Sequence, residues 1–123
     1  MQSDPDRNDR SAQARQVVLS ADQQLNNGQP PRHTIVVKVK NDSWEPISEL
    51  MLAWHQGAAD RGTDRLARAL TGANVATMTK DMTSGPSAAV SASPITVTLS
   101  FRDAAGVTWR LEEDGTLEEI SET

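Results

Sequence analysis

Apolar and polar residues alternate one by one through most of the last quarter of the chain. Ile95, Val97, Leu99 and Phe101 fall on one face of an extended segment, and Thr96, Thr98, Ser100 and Arg102 on the other. Strict alternation with β-branched residues marks a half-buried strand. Val107, Trp109 and Leu111 repeat the pattern against Thr108, Arg110 and Glu112, and a last short run spans Thr116 to Ile120. Asp103-Ala-Ala-Gly106 suits a hairpin loop, and Asp114-Gly115 suits a tight type I′ turn. Leu117 and Ile120 are out of phase, so the final strand keeps its register only briefly. The pattern predicts an antiparallel meander whose apolar face needs a second layer.

The same alternation predicts a strand over Thr34–Lys40, with Ile35, Val37 and Val39 on one face. A second follows at Ile47–His55, where Leu50, Leu52 and Trp54 alternate with Met51, Ala53 and His55. Ile47 and Leu50 are out of phase, which implies a bulge near Ser48-Glu49. The turn cluster Asn41-Asp42-Ser43 between these strands predicts that they pair as a hairpin, with Trp44 in its loop. Val75 to Met82 reads as a further strand, with Val75, Thr77 and Thr79 on one side.

Two stretches read as helical. Asp9 or Ser11 can cap a helix that ends before Gly28 and Pro30-Pro31, with Ala14, Val17, Val18, Ala21 and Leu25 as a narrow apolar stripe. Such a stripe suits docking on the meander or pairing with a second copy. Thr63 or Asp64 can cap Arg65-Leu-Ala-Arg-Ala-Leu70, which Thr71-Gly72 would end. The expected organisation is a disordered tail over 1–8, an N-terminal helix over 9–28, and a β-sandwich domain over 33–120. That domain carries an insert at 56–82 and a flexible, small-residue loop at 83–94. The fold class is therefore mainly β: a small immunoglobulin-like two-layer sandwich with an N-terminal helix and a short helical insert.

At 123 residues the chain is long enough for one domain with its own core. It has no cysteine, so disulfides, thiol nucleophiles and thiolate metal sites are excluded. The start, Met1-Gln-Ser-Asp-Pro-Asp6, is too polar for a signal peptide, and no apolar run approaches a membrane span. A cytoplasmic location is the expectation. The net charge of −5 is uneven, because the segment from Asp103 onward holds seven acids and one base, Arg110.

Candidate chemistry is sparse. His33 and His55 are the only histidines, lack metal-motif spacing, and read as surface or edge residues. There is no G-x-S-x-G and no Walker-type glycine loop. Glu112-Glu113-Asp114 and Glu118-Glu119 are adjacent clusters rather than alternating calcium ligands. Neither a catalytic nor a metal-binding residue is assigned, no cofactor is expected, and the chain reads as a non-enzyme. With no tyrosine and one phenylalanine, it also lacks a stacking platform for nucleic acid. Trp54 and Trp109 share faces with core residues. Trp44 sits in a turn, where folding over the core edge is favoured over display to a partner.

Ile35-Val-Val-Lys-Val39, Asn41-Asp-Ser-Trp-Glu-Pro-Ile47, Phe101-Arg-Asp-Ala-Ala-Gly-Val-Thr-Trp-Arg110 and Asp114-Gly-Thr-Leu-Glu-Glu119 together resemble small β-sandwich domains of actinobacterial proteins of unknown function. Many of those domains follow transmembrane helices and a helical linker, which Ala12–Val17 resembles. The chain is expected to depart from the family in having no transmembrane helix before the linker, and the stretch Gln56–Met82 looks more helical than the family's loops. The resemblance covers roughly half the chain, implies a sandwich and carries no activity. The expected function is a protein-interaction module of unidentified partner, acting through a strand edge, the Trp44 turn or the N-terminal helix, which could also self-associate. The alternative is an acidic decoy of phage or plasmid type that blocks a basic nucleic-acid-binding surface. The candidate partner-binding residues are Trp44, Glu45, Glu118 and Glu119.

Overall fold

The computed structural model describes residues 12–26, 32–57, 59–83 and 95–120. Among these residues a 3-10 turn at Ala14–Gln16 is followed by eight strands: β1 (Val17–Asn26), β2 (Arg32–Asn41), β3 (Ile47–Gln56), β4 (Ala59–Leu70), β5 (Asn74–Thr83), β6 (Ile95–Arg102), β7 (Thr108–Glu112) and β8 (Leu117–Glu119). They form two antiparallel sheets, a three-stranded one of order β1-β2-β5 and a five-stranded one of order β4-β3-β6-β7-β8.

The sheets face each other through the apolar set of each alternating strand. Ile35, Val37 and Val39 of β2 meet Leu50, Leu52 and Trp54 of β3 and Leu99 and Phe101 of β6 in one buried core. Burial of this apolar surface is the main force that holds the layers together. The meander β6-β7-β8 forms, with Leu99 opposite Leu111 and Phe101 opposite Trp109, and its first loop runs over five residues, 103–107, because Arg102 pairs with Thr108. The register of β3 shifts between Ser48 and Met51, and Glu49 takes a positive φ of 52°. That is the predicted bulge, and it brings Ile47 and Leu50 onto the same buried side.

Four expectations are corrected. The N-terminal helix over 9–28 is absent from its described part: residues 17–26 are β1, paired with β2 along their whole length. Val17 and Leu19 are buried while Val18 is half-exposed, a period of two. Self-association through a helix, and the likeness of Ala12–Val17 to a helical linker, fall with it. The helical insert at 65–70 is the end of β4, where Leu70 lies opposite Ile47 and Ala67 opposite Leu50. Arg, Leu and Ala prefer helix intrinsically, but pairing with a central strand overrides a preference of a few tenths of a kcal/mol per residue. The hairpin expected between β2 and β3 does not form, because the chain crosses from one sheet to the other at residues 42–46. Finally, the turn at Asp114-Gly115 is not type I′. Gly115 alone has a positive φ, 94°, and its N–H donates to Glu112 O, which fits a type I turn closed by a glycine bulge. The tail over 1–8 lies outside the described residues, as does nearly all of the loop at 83–94.

Side chains complete the edges that strands leave open. β7 ends opposite Thr98, so β6 runs on without a partner on that side. There the Glu113 carboxylate accepts from Val97 N at 2.8 Å. The Gln23 amide both accepts from Ile95 N and donates to Ile95 O, each at 2.9 Å, in the manner of a missing strand. At the corner between β4 and β5, Asp64 receives Lys80 Nζ at 2.8 Å and Trp54 Nε1 at 2.8 Å. The Lys80 hydrogen bond chiefly holds the Asp64 carboxyl below its usual range; partial burial opposes this and the indole assists. A depressed carboxyl pKa contributes stability that is complete above the unfolded value, about 4, and is lost as pH falls through the folded value. Both side chains are about one-third exposed, so solvent screening limits the pair to about 0.5–1 kcal/mol. Asp64→Asn should therefore unfold in urea more easily than the wild type at pH 7, and the gap should narrow as pH falls below the unfolded value of about 4, through the lower folded one.

Candidate functional site

One end of the sandwich gathers the loop 42–46, the turn 71–73, the loop 103–107 and the segment that leads into β1. The ladders place Val17 opposite Asn41 and Asn41 opposite Asn74, so the start of β1, the end of β2 and the start of β5 lie side by side. Trp44 stands at this end and is 96% exposed. The expectation that it folds over the core is corrected.

The backbone beneath the indole is held from three directions. From below, Asn41 is fully buried at the end of β2. Its Nδ2 donates to Glu45 O at 2.9 Å and to Leu70 O at 3.0 Å. Its Oδ1 accepts from Ser43 N at 3.0 Å and Ser43 Oγ at 2.6 Å, an Asx turn that sets the direction of the loop. From one side, Gln13 Nε2 donates to Glu45 O at 2.9 Å and Ser43 Oγ at 3.1 Å. Gln13 Oε1 accepts from Ala104 N at 2.8 Å, tying the loops at 42–46 and 103–107 together. From the other side, Gly72 lies so close that a Cβ there would come within 2.6 Å of Ser43 O and 2.7 Å of Trp44 O.

The loop at 103–107 is as firmly built. Asp103 is buried; its Oδ1 accepts from Ala105 N and Val107 N, and its Oδ2 from Trp109 Nε1 at 2.8 Å. Asp103→Ala would strand three donors and should cost about 2–3 kcal/mol in chemical denaturation.

The four residues singled out by sequence do not form one surface. Trp44 and Glu45 share the loop at 42–46 and are both exposed. Glu118 and Glu119 are neighbours on the edge strand β8, where Glu118 pairs with Arg110 at 2.9 Å and Glu119 lies in register with Trp109 on the opposite face. His33, read as a surface or edge residue, is buried on the central strand β2, with Nδ1 donating to Gln23 Oε1 at 3.1 Å. His55 points away from it, alternating with the core residue Trp54, so the histidines share no site. Among the described residues there is no group of three side chains able to hold a metal ion, and no helix long and apolar enough to cross a membrane.

Sequence reasoning missed Asn41, Gln13 and Gly72 as the residues that fix the loop. Asn-Asp-Ser ahead of the tryptophan was a visible turn signal, but nothing local marks Gln13 or Gly72. Searched against protein-family models and curated proteins, the chain matches none.

Proposed function

We propose that this chain is a non-enzymatic protein-interaction module that engages its partner through the Trp44 loop. One observation carries the reading: a tryptophan 96% exposed at the tip of a loop fixed from three sides. Tryptophan is the residue most enriched at the energetic centre of protein interfaces. Covering about 200 Å² of indole would contribute about 5 kcal/mol to association before ordering costs. A loop already fixed loses little further freedom on binding, so more of that gain remains as affinity.

The sandwich is read as immunoglobulin-like. The order β1-β2-β5 opposite β4-β3-β6-β7 has the crossing pattern of that architecture, in which binding loops cluster at one end. The resemblance to actinobacterial sandwich domains is retained as part of the same proposal. The decoy reading has less support, because much of the acidic charge is used locally: Asp103 by Trp109, Glu113 by Val97 and Glu118 by Arg110.

The test compares wild type and Trp44→Ala as bait in a lysate of the native host, at low and high salt. Stability of the variant should stay within about 0.5 kcal/mol of wild type, since the side chain packs on almost nothing. A partner held by wild type, lost by Trp44→Ala and indifferent to salt would establish the module. Retention that instead depends on Glu118 and Glu119 and vanishes in high salt would establish the decoy.

A further inference from the structure

Among the described residues, four strands of the sandwich pair on one side only: β1 and β5 in the smaller sheet, β4 and β8 in the larger. Exposed edges template further pairing unless charge, proline or shortness guards them. β4 carries Asp60, Arg61, Asp64, Arg65 and Arg68, and the Lys80–Asp64 bridge links it to β5. β8 is three residues long and two of them are glutamate. β1 is different: ten residues, a continuous ladder with β2, no proline, no lysine, and Asp22 as its only charge.

The phase of that edge follows from one hydrogen bond. Asp42 N donates to Gln16 O, so alternate residues from Gln16 onward direct their backbone groups at β2. Leu19 and Ala21 then present both groups to the open side and Val17 its carbonyl, its N–H being donated to Ala14 O, while the side chains of all three face the core. Beside this stretch lies a groove of about 350 Å³. Val17 and Leu19 form one wall, Leu111 and Leu117 the other, and Glu112, Asp114 and Arg15 stand on its rim. Hydrogen bonds from Thr116 keep the Asp114 carboxyl ionised to lower pH than usual. The Gln23–Ile95 amide pair ties β1 to β6 at the far end, so among the described residues the edge from Val18 to Ala21 has no strand beside it.

We propose that β1 is a strand-addition site for an extended basic peptide of a partner protein. Alternate apolar side chains of the peptide enter the groove, and flanking lysine or arginine side chains meet Glu112 and Asp114. Charge selects this occupant over a second copy of the chain: β1 offers no base to those acids, and the molecule carries a net charge of −5. The site shares no residue with the Trp44 loop and stands or falls independently of it.

The probe is a fluorescent peptide of about eight residues, alternating valine and threonine between flanking lysines, titrated with the full chain by anisotropy at low salt. Two control peptides carry glutamate for lysine, or N-methyl groups on alternate backbone nitrogens. Saturable binding in about the micromolar range, at least about 10-fold weaker for the glutamate peptide and lost on N-methylation, is expected. Glu112→Gln with Asp114→Asn should weaken it about 3–10-fold and flatten its salt dependence. Ala21→Pro, which removes one open-side N–H at a position where an edge strand tolerates proline, should weaken it as well. Trp44→Ala should bind the peptide as wild type does. Equal binding of the N-methylated or glutamate peptide, or no saturation by about 1 mM, overturns the proposal. So does a dimer in sedimentation that Ala21→Pro abolishes, since the edge would then be filled by a second copy.

Discussion

Asn41→Ala should lower unfolding stability by about 3–4 kcal/mol in chemical denaturation, a large share of what a domain of this size possesses. The side chain is fully buried and makes four hydrogen bonds, to Glu45 O, Leu70 O, Ser43 N and Ser43 Oγ. Alanine removes all four and leaves partners that solvent reaches poorly. Each stranded buried group costs about 1–3 kcal/mol, whereas the transfer of the amide itself to water returns only part of that. Asn41→Asp should also destabilise, because a carboxylate cannot donate to Leu70 O and would bring its charge into the same space. A loss under about 1 kcal/mol would mean that water replaces the amide and that the loop is less tightly fixed than its hydrogen bonds imply.

Gly72→Ala should cost about 2–3 kcal/mol and should also displace Trp44. The added carbon would sit 2.6 Å from Ser43 O, 2.7 Å from Trp44 O and 2.8 Å from Trp44 C. All three are backbone atoms, so no rotamer change relieves the overlap. One of the two loops must move. If the loop at 42–46 moves, the hydrogen bonds of Asn41 and Gln13 lengthen, and the indole loses the support that fixes its position. The exposed Trp44 makes this measurable, since its fluorescence anisotropy should fall in the variant once Trp54 and Trp109 are replaced by phenylalanine in both proteins. An unchanged melting temperature would show that the turn at 71–73 yields instead and that the loop does not depend on it.

What the sequence disclosed depended on how many successive positions could be read. In β6 four apolar residues alternate without a gap, Ile95 through Phe101, and the strand forms as its pattern requires. In β1 the apolar residues Val17, Ala21 and Leu25 are four apart, as are Leu66 and Leu70 in β4. Four residues is a common separation of a helix stripe and of one face of a strand, so it cannot distinguish them. The deciding positions lie two away, and in β1 only Leu19 filled one with a large apolar side chain. Both misread segments are edge strands, which have one ladder to satisfy and tolerate polar residues that blur the alternation. The sheet switch at 42–46 was hidden for a different reason. Alternation states which face of a strand is buried but not which strand lies beside it. The candidate site was half legible: a tryptophan next to a turn signal could be seen, but the residues that hold it out of the core come from three other places in the chain.

The crossing of the chain at 42–46 also governs when the Trp44 surface comes into being. β1–β2, β3–β4 and β6–β7–β8 join neighbours in sequence and can close early, whereas the β2–β5 ladder, which pairs Arg32 with Thr83, must span the two strands between them. The supports of the loop reach from Gln13 to Ala104, so they assemble only when both sheets have docked. Folding should accordingly be slow for the chain's size, with Asn41→Ala acting on the unfolding rate far more than on the folding rate. A nascent or partly degraded chain would then hold hairpins but no fixed indole, and recognition would be confined to molecules that have finished folding.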